Sequence, residues 1–142
     1  MLSKFSYPII CTGDFVHTVA FYEDYFEYVP VLEMENFVIL QRKEWSDMYL
    51  AIIDSNHQAI PARYRKPVRG MILSFPVHSA QKAFLELYME GLNVLSEPEP
   101  ALCGRSHFFV EDPNGILIDV AEEIDIEGLT DPEVIKELCI VV

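Results

Sequence analysis

One order of predicted elements occurs twice in this chain, and that repeat limits the possible folds more than any single motif. In the first copy, Phe5 to Cys11 is a short apolar stretch with strand character. Asp14 then caps a helix to about Phe26, with Val16, Val19, Ala20 and Phe26 at helical spacing. Three strands follow, Val29 to Glu35, Phe37 to Arg42 and Met48 to Asp54, rich in β-branched and aromatic residues, with Glu35-Asn36 as a hairpin turn. In the second copy, Gly70 to Val77 is a strand and Ser79 caps a helix to about Glu90. Ala83, Phe84 and Leu87 form its apolar face, and Gly91 stands where a C-terminal cap glycine belongs. Asn93 to Ser96, Arg105 to Glu111 and Ile116 to Ala121 complete the set. The order is β-α-β-β-β both times, at a spacing of roughly 65 residues, which indicates a duplicated unit. The expected fold class is therefore α+β, with two tandem βαβββ modules over about 5–54 and 70–124. They form one domain over 1–128, with a polar, proline-containing linker at 55–69. Residues 129–142 predict a C-terminal helical extension, with Thr130 or Asp131 as cap, Pro132 in the first turn and Val134, Ile135 and Leu138 as its stripe.

The 142 residues suffice for one domain with a proper core. No run approaches the roughly 20 apolar residues that span a bilayer, and MLSKFSYPII lacks the apolar centre of a signal peptide. A cytoplasmic protein without membrane partners is expected. The 10 basic and 23 acidic residues give a net charge of −13, which disfavours nucleic acid, whose phosphates require a basic face. Residues 111–137 hold ten acids and one base, whereas 63–69 (RYRKPVR) hold four of the ten bases. A solvated linker accounts for that basic cluster. Cys11, Cys103 and Cys139 have no CxxC spacing, so they fit neither a disulfide framework nor a zinc site and are expected as reduced, mostly buried thiols. No Gly-x-Ser-x-Gly, spaced Cys-His pair or Gly-rich phosphate loop is present.

Two phrases in this frame resemble the vicinal oxygen chelate superfamily, that of glyoxalase I, the bleomycin resistance proteins and the extradiol dioxygenases. DFVHTVAFYEDYF (14–26) is similar to the family's Asp-capped helix with Phe-Tyr near its end. GRSHFFVEDPNGILIDVAEEI (104–124) is similar to its closing hairpin, in which Asp-Pro-Asp/Asn-Gly precedes a strand bearing an acid. The resemblance spans about 5–124 and departs at Glu27, where the family often has Gly at the helix end. It implies that the modules curl into a curved mixed-sheet groove that holds a small molecule, and that the chain forms a homodimer.

Metal-dependent members place a ligand on the first and last strand of each module. In this chain the positions implied are Tyr7, the run 48–53 (MYLAII), the run 70–72 (GMI) and Asp119. Only Asp119 is a usual ligand, whereas a catalytic metal needs about three protein ligands. His17 on the outer helix, His57 in the linker and His78 at a strand–helix junction do not repair the set. His107, on the penultimate strand, is free by its position to face either side. No metal and no cofactor are expected.

Asp119 stands alone as a carboxylate in an apolar run. If Asp112 and Gly115 close a two-residue loop, Glu111 faces Ile116 and Phe108 lies opposite Asp119. Alternation then places Ser106, Phe108, Val110, Leu117, Asp119 and Ala121 on the groove face, with Phe109, Ile116, Ile118 and Val120 turned to the helices. Tyr7, Phe108 and Asp119, with Trp45 in its polar loop (KEWSD) and Tyr49, are the expected ligand-binding residues. Phe37 and Phe75 are expected in the core. The functional expectation is a metal-free binding protein that sequesters an aromatic or cationic small molecule, with Asp119 otherwise a wetted groove wall. The alternatives are a divalent-metal-dependent lyase, isomerase or dioxygenase, and a module that uses the fold for pairing.

Overall fold

The computed structural model describes residues 6–100 and 105–123. The C-terminal extension, Cys103 and Cys139 lie outside the described residues. Among the described residues eight strands and two α-helices follow the duplicated order. The first set is β1 (Ile9–Thr12), α1 (Phe15–Phe26), β2 (Tyr28–Met34), β3 (Phe37–Arg42) and β4 (Tyr49–Asp54). The second is β5 (Ile72–Val77), α2 (Ala80–Met89), β6 (Glu99–Pro100), β7 (Ser106–Glu111) and β8 (Leu117–Glu122). The sheets have the same topology, β1-β4-β3-β2 and β5-β8-β7-β6, with the first strand of each parallel to the last and the other pairs antiparallel. The chain divides into two compact units, Met1–Gly70 with Asp112–Gly115, and Met71–Glu111 with Ile116–Val142. Among the described residues no helix is long and apolar enough to cross a membrane.

In the first unit, alternation along the strands sends Ile10, Val38, Leu40, Leu50 and Ile52 to the buried side, together with Phe21, Tyr22 and Phe26 of α1. Ile9, Cys11, Phe37, Ile39, Tyr49, Ala51 and Ile53 share the opposite face, since Ile9 pairs with Ala51, Cys11 with Ile53, and Phe37 with Ile53. β2 is the outer strand and carries Pro30 at a register shift, where a missing N–H breaks no ladder bond. Its hairpin to β3 turns on Asn36, whose φ of 59° suits asparagine. Asp14 stands at the start of α1 but its carboxylate bonds His17 Nδ1 at 2.8 Å and no backbone N–H of the helix. Glu27 ends α1 in the left-handed region at φ 59°, which explains why glycine suits this position.

The second unit is built the same way. Phe75, Val120 and Phe108 stand in one row across β5, β8 and β7. All three are buried, and the Phe84 ring of α2 meets Phe108 edge-on at 5.6 Å. Ser79 Oγ accepts from the Lys82 N–H at the start of α2. At its end Gly91 at φ 85° donates to Tyr88 O while Leu92 donates to Leu87 O, the paired bonds of a Schellman cap. The strand expected at Asn93 to Ser96 is replaced by the two-residue β6 farther along. Val94 makes only an isolated bridge to Val110.

The register of the last hairpin differs from the expectation by one residue. Glu111 pairs with Leu117, so Phe109 and not Phe108 lies opposite Asp119. A slip of one residue reverses the faces of a strand. Phe108, with Val110, belongs to the helix-covered side, and His107 and Phe109 share the face of Asp119. The physical reason lies in the turn. Asp112 and Asn114 are pulled into the first unit's hydrogen bonds, and Ile116, 2% exposed, is drawn out of the strand into the core.

Candidate functional site

The open face of the first sheet forms the floor of a cavity of about 560 Å³. Ile9 and Cys11 of β1, Met34 of β2, Phe37 of β3 and Ile53 of β4 supply that floor. The wall comes from the segment that the sequence marks as a solvated linker, through His57, Ala59, Ile60, Pro61 and Tyr64. Its basic residues explain how it folds back. Arg65 Nε donates to Ile60 O at 2.8 Å and its NH2 to Gln58 O at 3.3 Å, closing the loop on itself, and the Arg63 guanidinium lies 5.0 Å from the Tyr64 ring centre. Val68 N–H bonds Cys11 O at 2.8 Å and fastens the far end to β1. His57 Nδ1 accepts the Ala59 N–H at 3.0 Å, so the neutral ring carries its proton on Nε2. Burial raises the Cys11 thiol above its usual pKa, with Asp54 adding to the rise, so the thiol is protonated and serves as an apolar lining group. No lining residue is a carboxylate.

A second, polar constellation lies on the open face of the second sheet. Asp119 stands between Ser74 on β5 and Phe109 on β7. His107 Nδ1 bonds Asp119 Oδ1 at 2.6 Å, and Ser74 Oγ donates to Oδ2 at 2.9 Å. Arg105 NH2 approaches the same Oδ2 at 3.8 Å. The His107 and Asp119 side chains are only 13% and 15% exposed, and the His107 ring packs edge-on against Phe109 at 5.0 Å.

The residues singled out by the sequence fall in different places. Tyr7, Trp45 and Tyr49 belong to the first unit, and Phe108 and Asp119 to the second. Tyr7 precedes β1 and is half-buried. Trp45 covers a buried cation, with the Arg42 guanidinium 4.4 Å from its ring centre. Burial lowers the pKa of Arg42, whose Nε donates to Phe26 O. Tyr49 OH accepts from Gln41 Nε2 at 3.0 Å. Phe37, expected in the core, lines the cavity, while Phe75 is buried as expected. His107, which alternation from the assumed turn directed away from Asp119, is its closest partner. The linker contribution to the cavity had one sequence signal, Ile60 and Tyr64 inside a polar stretch.

The fold class raises the question of a divalent metal, and these side chains do not fit one. Both oxygens of Asp119 are already engaged by His107 and Ser74. Among the described residues no three His, Cys, Asp or Glu side chains converge, short of the set a catalytic metal requires.

Comparisons with known proteins agree with this architecture. A sequence profile of the Glyoxalase/Bleomycin resistance protein/Dioxygenase superfamily matches residues 4–120. A superfamily member from Sphaerobacter thermophilus has a similar structure, with a TM-score of 0.69 at 19% identity over 86% of this chain and 98% of that one. A glyoxalase-related enzyme from Fulvimarina pelagi gives 0.65 at 19% identity, covering 86% of this chain and 89% of that one. A virulence protein from Salmonella typhimurium gives 0.68 at 17% identity, covering 87% and 99%. At these identities the likeness is one of fold. No curated protein matches the sequence.

Proposed function

The chain belongs to the glyoxalase/bleomycin resistance/dioxygenase superfamily, and on that premise we propose that it is a cytoplasmic, metal-free protein that binds a small, largely apolar or aromatic molecule. The observation that carries this reading is the cavity of about 560 Å³ on the open face of the first sheet. Its size falls within the roughly 300–1,000 Å³ of small-molecule sites, and an apolar lining with a few polar groups is the usual composition of such sites. The lining favours the aromatic class of ligand over the cationic one, because a buried cation needs a partner carboxylate and none lines the wall. His57 and Tyr64 supply hydrogen-bonding groups for one polar end. The protein also pairs with a second copy, through the outer face of α2, where Leu85, Tyr88 and Met89 are exposed at helical spacing.

N-phenyl-1-naphthylamine, a neutral aromatic fluorophore, tests the pocket. One saturable site per chain is expected, and Ala59→Trp, which places a ring in the cavity from its wall, abolishes it with the melting temperature unchanged. Binding that persists in Ala59→Trp would overturn the assignment. Elemental analysis of protein purified without chelator tests the metal-dependent alternative. A stoichiometric divalent ion that disappears in Asp119→Ala would establish that alternative instead.

A further inference from the structure

The Asp-Pro-Asn-Gly turn (112–115) ends in two residues whose local requirements are met together by a chemically labile pair. Gly115 stands at φ 81°, in the left-handed region that a side chain disfavours. Asn114 is held by its amide. Its Oδ1 accepts from Thr12 Oγ1 at 2.5 Å, and its Nδ2 donates to Thr18 Oγ1 at 3.0 Å and to Asp112 Oδ2 at 3.2 Å. Thr12 and Thr18 are fully buried and Asp112 is 5% exposed, so position 114 calls for an acceptor and a donor on one short side chain. The backbone thus requires glycine, and the neighbours require an amide. In an asparagine followed by glycine, the next backbone nitrogen reaches the side-chain carbonyl carbon with least hindrance, because no Cβ stands in the way. In the closed turn that attack is held off. The Gly115 N–H is committed to Asp112 O at 3.2 Å, and both ends of the Asn114 amide are tied to the first unit. Gly115 is nevertheless exposed, so water meets the pair as soon as these bonds open.

We propose that Asn114-Gly115 is a self-modification site gated by opening of the turn, and that its product keeps the turn from closing again. When the turn leaves Thr12 and Thr18, Gly115 N attacks Cγ of Asn114. A bond forms between these atoms, the Cγ–Nδ2 bond breaks, and Nδ2 departs as ammonia with the proton lost by Gly115 N. Water then adds to one of the two carbonyl carbons of the succinimide ring and breaks that carbon's bond to Gly115 N. Cleavage at Cγ leaves aspartate. Cleavage at the main-chain carbonyl carbon of residue 114 leaves isoaspartate, with the chain now running through Cβ and Cγ. No oxidant or reductant takes part. Either acid has lost the donor from which Thr18 Oγ1 and Asp112 Oδ2 accept, and it sets a second carboxylate beside Asp112. Isoaspartate also adds a methylene to the backbone of the turn. The modification therefore accumulates in proportion to the time a molecule spends open. It is independent of what the first-unit cavity binds.

The full chain is aged in mildly alkaline buffer beside a peptide of residues 111–116 (EDPNGI), in which nothing holds the turn closed. Peptide mass mapping reads conversion at position 114, and a carboxyl methyltransferase specific for isoaspartate reads the rearranged product. The chain is expected to convert, but roughly 10-fold or more slowly than the peptide, the protection that two hydrogen bonds give. Low urea, which favours global unfolding, leaves the rate unchanged, as a local opening requires. Thr18→Val removes one anchor of Nδ2 and raises the rate roughly 2- to 10-fold, one hydrogen bond converted to a ratio, whereas Thr18→Ser keeps the wild-type rate. Asn114→Gln, whose longer side chain closes the ring poorly, forms no acid. The acidic fraction of the aged chain, separated by anion exchange, unfolds at a lower temperature than the unmodified chain. The proposal is overturned if the chain converts as fast as the peptide or not at all, or if the rate climbs with low urea. It is equally overturned if Thr18→Val leaves the rate unchanged, if Thr18→Ser matches Thr18→Val, if Asn114→Gln yields acid at the wild-type rate, or if the acidic fraction is as stable as the starting protein.

Discussion

Tyr22 and Tyr28 carry their phenols into the interior of the first unit, at 0% and 3% exposure. Burial raises the pKa of both. Tyr28 is pushed up to about 12 from 10.0, with Arg42 opposing the rise, and Tyr22 goes higher still because the Asp112 charge adds to burial. A group whose folded pKa is raised contributes stability that is complete below its unfolded pKa and is lost as pH rises through the folded one. The free energy of unfolding should therefore hold up to about pH 10 and fall between pH 10 and 12. The expected slope is about 1.4 kcal/mol per pH unit for each such tyrosine. Urea unfolding across that range measures it, and Tyr28→Phe should flatten the curve. A slope that Tyr28→Phe does not change would show that this phenol does not control the alkaline limit. Neither burial was visible in FYEDYFEY (21–28), where eight aromatic or acidic residues in succession obscure which side chains face inward. Glu27 was legible as a departure, and its left-handed φ supplies the reason.

Among the elements, both helices, Ser79 as a cap, Gly91 and the Glu35-Asn36 hairpin were legible because each rests on local backbone chemistry. The face of β7 was not, because its register was inferred from the turn. Its own alternation held the answer. Arg105, His107 and Glu111 are polar at every other position but one, and Phe108 and Val110 are the apolar set between them. Weighted above the turn, that pattern places His107 beside Asp119. The wall of the first-unit cavity was hidden for a different reason. A loop pinned by Arg65 to its own carbonyls has no periodicity to read. On α2 the surplus of apolar residues is itself informative. Leu85, Tyr88 and Met89 are 49%, 64% and 83% exposed, although the opposite side of the helix already covers the sheet. Met89→Glu should convert a dimer into a monomer in light scattering, with far-UV circular dichroism unchanged. A wild-type mass equal to one chain at all concentrations would rule out the pairing.

At the scale of the whole molecule, the Asp-Pro-Asn-Gly turn has a role that no local pattern announces. It connects β7 to β8, yet residues 112–115 belong to the first unit. There Tyr22 OH donates to Asp112 Oδ2 at 2.8 Å, and Thr12 Oγ1 donates to Asn114 Oδ1 at 2.5 Å. Asn114 Nδ2 in turn donates to Thr18 Oγ1 at 3.0 Å. Thr12, Thr18 and Tyr22 are fully buried, so without the turn their hydroxyls lose these bonds, at about 0.5–1.5 kcal/mol each, although Thr12 Oγ1 and Thr18 Oγ1 still reach each other at 3.1 Å. A fragment of residues 1–70 should accordingly show no cooperative unfolding transition, although it contains a complete βαβββ set. A sharp thermal transition in that fragment would show that the turn is dispensable.

Thr12 and Asn114 are 102 positions apart. On the ribosome, the N-terminal module therefore emerges entire but unfinished, and its polar interior closes only after most of the second copy has been translated. The two halves share one element order, yet because the turn is supplied from within the second copy, the earlier-made half should wait for the later one before it can close.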